Sequence, residues 1–139
     1  MNNKSVLVKW TGNRQFIGTD SGKHSIVISS HDEVNNTGMS PSQLLLIALA
    51  SCSAYDVVGI LQKKRLQLGC LDITVHGEQE PDPPWTYRSI HLKFVLSGPD
   101  LTDKAVEQAI ELSLTKYCTV AATVSGKADI THEFEILGK

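Results

Sequence analysis

Seven consecutive apolar residues, Leu44 to Ala50, lie inside PSQLLLIALASCSAYDVVGILQKKRL at positions 41–66, and they limit what this chain can fold into. Ser40 is a good N-cap and Pro41 a favoured first helical residue, so the sequence predicts a helix that opens there. From Leu44 the helix is apolar on nearly every face for two turns, which marks it as enclosed. It turns amphipathic after Tyr55 and is expected to end near Leu66, with Gly69 as a stop. Seven apolar residues fall short of the ~20 that a membrane-spanning helix needs. Such a helix needs cover on every side, which one sheet and one amphipathic helix hardly supply in a chain of 139 residues. A second copy of the chain would supply it. An obligate homodimer is inferred on that ground.

The remaining segments predict an α+β fold with mainly antiparallel pairing. Val6, Val8 and Trp10 alternate with Leu7 and Lys9. Runs at Gln15 to Thr19 and Ser25 to Ser30 follow, separated by the turn signals Thr11-Gly12-Asn13 and Asp20-Ser21-Gly22. These make a three-stranded meander, and polar residues 31–40 make a loop. Residues 70–79 and 87–96 alternate as strands, with Ile90, Leu92, Phe94 and Leu96 on one face. The prolines of EPDPPW (80–85) exclude that stretch from a sheet interior. Asp100 or Thr102 can cap a second helix that carries a one-sided apolar stripe to about Tyr117. A short helix over 119–125 and a last strand over 128–137 complete a single domain spanning 1–139.

Composition narrows the partners. A formal net charge of -2 with 20% charged residues argues against nucleic acid, which needs clustered Lys and Arg. The basic run Lys63-Lys64-Arg65 suits the dipole at a helix C-terminus. The N-terminus leads into a strand-like run and has no signal-peptide core, so a cytoplasmic protein without a membrane partner is expected. There, three cysteines should be reduced, and an odd count does not suggest a disulfide framework.

GMSPSQLLLIALASCSAYDVVGIL followed by LSLTKYCTVAATV resembles the OsmC/Ohr family of thiol-dependent hydroperoxide reductases, and its small OsmC-like redox branch in particular. The resemblance covers nearly the whole chain. It implies an intertwined α+β homodimer, with antiparallel sheets around two long central helices and active sites at the subunit interface. It further implies a two-cysteine peroxidase serving oxidative or osmotic stress defence. Cys52 would be the peroxidatic thiol and Cys118 the resolving one, with a small hydroperoxide as substrate, an external dithiol as reductant and no cofactor. In the peroxidase families an arginine near the N-terminal strands activates the peroxidatic thiol. Arg14, the only arginine before the helix, matches that role. The glutamate that holds this arginine in the family is replaced here by Ser42 and Gln43, after Pro41.

Physical chemistry sets two conditions. The two cysteines must approach to about 4 Å between Cβ atoms for a disulfide to close. Cys52 also needs a cation, because burial raises a thiol pKa and helix-dipole assistance fades within the first turn. Gln43 could orient Arg14 through its amide oxygen, and Lys116 and Arg88 are further cations. Each of these residues also has an ordinary role open to it. Cys52, Cys70 and Cys118 can be small core residues, Arg14 a solvated charge, and Asp56 and Glu111 helix-face carboxylates. Trp85 and Tyr87 can line a pocket or anchor their loop. The histidines at 24, 31, 76, 91 and 132 show no zinc-site spacing, so no metal is expected, although Cys52 and Cys118 with a histidine could hold one. The alternative function is a non-catalytic dimer that binds a small apolar ligand in its interface cleft.

Overall fold

The computed structural model describes residues 3–139. The chain forms two compact units that divide inside one helix, the first running up to Leu45 and the second spanning Leu46–Lys139.

The first unit is the predicted meander. Strands β1 (Leu7–Gly12), β2 (Gln15–Thr19) and β3 (Ser25–Ser29) pair antiparallel in that order. Asn13 takes a positive φ in the first turn and receives the indole N–H of Trp10 on its carbonyl at 2.7 Å. In the loop after β3, the Asp32 carboxylate accepts the Ser30 hydroxyl, the Asn35 side chain, and the backbone N–H groups of Val34 and Asn35. These bonds, the Ser30 one above all, hold its carboxyl far below the usual carboxylate range. Met39 returns to the sheet by donating to Val27, and Gly38 lies where a Cβ would collide with the Val27 carbonyl. Val6, Leu7, Val8 and Trp10 are all exposed within the chain.

Helix α1 (Pro41–Lys63) contains 23 residues, so by length and composition alone it could cross a membrane. The count of seven apolar residues stopped at Ser51, but small and weakly polar residues keep the whole helix apolar on average. Its Leu49, Val57 and Leu61 are fully buried in the core of the second unit, as befits a core helix. The helix ends earlier than Gly69 would suggest. Arg65 adopts the left-handed conformation, its N–H meets the Gln62 carbonyl at 2.9 Å, and the Leu66 N–H meets the Leu61 carbonyl at 3.0 Å. That is a Schellman cap, with Leu66 folding back onto the core.

The second unit packs α1 residues against the sheet β4 (Cys70–Gln79), β5 (Tyr87–Ser97), β6 (Asp129–Ile136), in the order β4-β5-β6. Ile90, Leu92, Phe94 and Leu96 of β5 are buried, as their alternation requires. Gly77 on β4 leaves room for the Tyr87 ring, which a Cβ would strike. The β4/β5 pair is antiparallel, whereas β6 runs parallel to β5. A parallel neighbour needs a long crossover. Helix α2 (Asp103–Leu112), a π-helical turn (Ser113–Tyr117) and α3 (Thr119–Val124) provide it. Thr102 caps α2 through its hydroxyl, which accepts the Ala105 N–H at 3.1 Å. Val106, Ala109 and Ile110 bury the predicted stripe.

Candidate active site

Two elements of the second unit present the cysteines. Cys52 sits about three turns into α1, half-buried, with its side chain packed against the core. Cys118 follows the π-turn, is 2% exposed, and serves as N-cap of α3 with its sulfur accepting the Ala121 N–H at 3.3 Å. The π-turn arises because the Cys118 N–H reaches back five residues to the Ser113 carbonyl, at 2.8 Å. The extra residue per turn ends the helix at Cys118, whose backbone is extended.

Cys52 lies close enough to Cys118 to act on its ionisation. Burial pushes the Cys118 thiol up to about 11, and the neighbouring Cys52 pushes the same way, against the Ala121 amide. Cys118 is therefore a neutral S–H group at neutral pH. Both sulfurs are free.

A buried polar link joins the two elements that carry these cysteines. The Ser113 hydroxyl donates to the Asp56 carboxylate at 2.8 Å and hydrogen-bonds the Ser53 hydroxyl at 3.0 Å. Ser53 and Ser113 are both fully buried. The link ties the α1 turn that begins at Cys52 to the turn that ends at Cys118. Sequence patterning gave no sign of it, because isolated serines on two helices become partners only in the folded chain.

The other expected residues have their own local partners. Arg14 is exposed in the β1–β2 turn of the first unit, where its carbonyl accepts the Ser30 N–H at 3.1 Å. Gln43 lies in the first turn of α1, and its N–H approaches the Ser40 hydroxyl at 3.4 Å. Arg88 lies 3.9 Å from Glu80, and Lys116 sits over the Tyr117 ring. Asp56 is taken up by Ser113. Cys70, expected to pack, is exposed and receives the Ser97 hydroxyl at 3.1 Å, because it opens an edge strand on its outward face. Trp85 is exposed at a positive-φ position of its loop, and Tyr87 is half-buried. An open groove of about 570 Å³ borders α1 and the π-turn, lined by Tyr55, Asp56, Lys63, Lys64, Leu112 and Tyr117 among others.

Residues 34–133 match the family model described as OsmC-like protein. The protein YhfA of Escherichia coli K12 is 35% identical over 130 residues, covering 94% of this chain and 96% of that one. The crystal structure of a hypothetical protein from Aquifex aeolicus VF5 superposes with a TM-score of 0.83 at 33% identity, over 98% of both chains. The fold is shared more distantly by the organic hydroperoxide resistance protein OhrB of Bacillus subtilis. There the TM-score is 0.64 at 15% identity, over 96% of this chain and 98% of that one.

Proposed function

Because this chain belongs to the OsmC-like family, we propose that it is a two-cysteine thiol peroxidase that reduces organic hydroperoxides in stress defence. The observation that carries this reading is the buried Ser113 link, which holds the α1 turn beginning at Cys52 against the turn ending at Cys118. The name of the distant Bacillus relative, an organic hydroperoxide resistance protein, agrees with it.

The chemistry needs a thiolate at Cys52. That thiolate attacks the distal oxygen of ROOH, the O–O bond breaks, and RO⁻ leaves and takes a proton to become the alcohol. Cys52 is left as a sulfenic acid. The Cys118 sulfur then attacks the Cys52 sulfur and gives up its proton; the departing hydroxide takes that proton to become water, and the disulfide forms. An external dithiol then exchanges through a mixed disulfide and returns both thiols. The half-buried Cys52 is the sulfur a substrate can reach, while Cys118 is buried away from it. Arg14 is assigned as the cation that supports the Cys52 thiolate, with Gln43 in place of the family's glutamate.

The working form is assigned as a homodimer in the cytoplasm. Val6, Leu7, Val8 and Trp10 in the first unit, and Ile47 and Tyr55 on α1, are apolar surface that a lone chain leaves open. Peptide mapping after treatment with one equivalent of cumene hydroperoxide tests the function. The expected product is a Cys52–Cys118 disulfide, and a disulfide involving Cys70 or none at all would refute it.

A further inference from the structure

Away from the cysteines, Glu107 and Glu111 stand one turn apart on α2 and meet His132 of β6. One donor atom from each lies within 4.8 Å of the others, the one such grouping of three among the described residues. We propose that these three side chains form a binding site for a divalent first-row transition ion, in the series from manganese to zinc.

His132 breaks the pattern of its strand. Ile130, Phe134 and Ile136 occupy the inward face of β6, and His132 stands on that same face, half-buried and opposite Leu92 of β5. A polar ring at an apolar position needs a partner. The Glu107 carboxylate is 2.9 Å from its Nε2. One carboxylate would suffice for a simple ion pair, as at His24–Asp20 and His91–Glu133 on the surface. Here a second carboxylate, Glu111, is brought to the same point.

Two carboxylates near one imidazole repel each other unless a cation lies between them. With metal–ligand bonds of ~2.1 Å, neighbouring donors in an octahedral shell lie ~3.0 Å apart and opposite ones ~4.2 Å. The His132–Glu107 separation of 2.9 Å falls in that range, and the Glu111 donor, within 4.8 Å of both, reaches it by a rotamer change at an exposed side chain. One nitrogen and two carboxylate oxygens suit borderline divalent ions and leave positions for water. The exposed side of Glu111 gives the ion its entry path.

Titrating the reduced protein with Co²⁺ and following the visible absorption of the bound ion tests the site. One ion per chain is expected, with no sulfur-to-cobalt charge-transfer band. Glu111→Gln and His132→Gln should each weaken uptake by at least ~10-fold, and Glu135→Gln, on the outer face of β6, should change nothing. Glu111 is exposed, so its variant keeps the fold; circular dichroism confirms this. No uptake, uptake undiminished by Glu111→Gln, or a thiolate band would each overturn the proposal. A plain His132–Glu107 ion pair predicts that Glu111 is irrelevant.

Discussion

The amide of Cys118 donates to the carbonyl of Ser113 at 2.8 Å, five residues back along the helix. The same serine fastens α1 through Asp56 and Ser53. One residue thus fixes where the helix carrying Cys118 stops, by its main chain, and where it rests against the helix carrying Cys52, by its side chain.

Ser113→Ala removes the side-chain link but keeps the carbonyl. The half-buried Asp56 carboxylate then loses its donor, and a stability loss of about 1–2 kcal/mol is expected. Misplacing the two sulfurs should also slow disulfide closure by ~10-fold or more, since proximity governs such steps. Chemical denaturation and stopped-flow thiol kinetics measure the two effects. Loss of stability with unchanged closure would confine Ser113 to a structural part.

Cys118 makes the fold sensitive to alkali. Its pKa rises from an ordinary 9.0 to about 11 in the folded chain. The folded state therefore keeps a proton that the unfolded chain has already lost. That contribution is complete below pH 9 and disappears as pH rises toward 11. At ~1.4 kcal/mol per unit it is at most about 3 kcal/mol. Comparing unfolding free energies of wild type and Cys118→Ala from pH 8 to 11 isolates it. The difference between the two should shrink as the pH rises.

Arg14→Ala should slow the reaction of Cys52 with an organic hydroperoxide by ~10-fold or more, and Arg14→Lys should restore part of the rate, since a nearby cation favours the reactive thiolate. Stopped-flow thiol kinetics report it. An unchanged rate in Arg14→Ala would remove Arg14 from the chemistry.

Val8→Lys and Tyr55→Lys place charge on the exposed apolar surfaces of β1 and α1. Sedimentation should show a dimer for the native chain and a shift toward monomer for each variant. A native monomer would contradict the inference drawn from the uncovered helix.

Elements governed by local rules were legible in the sequence. Turn residues delimit β1, β2 and β3, two-residue alternation marks β5, and Thr102 caps α2. Features that depend on distant partners were not. The parallel pairing of β6 follows from how α2, the π-turn and α3 cross the sheet. The end of α1 differs because Leu66 gains core contact by letting Arg65 turn left-handed, so Gly69 is not needed. At the candidate site, the family resemblance carried Cys52 and Cys118. Ser53, Asp56 and Ser113 connect only in three dimensions. His132 meets Glu107 across a helix-to-strand connection, which spacing rules for histidine pairs do not see.

The most direct measurement counts free thiols after one equivalent of an organic hydroperoxide is added to the fully reduced protein. The account predicts a fall from three per chain to one, and no such loss of two in Cys52→Ser. Three thiols remaining in the native protein, or an equal loss in Cys52→Ser, would contradict it.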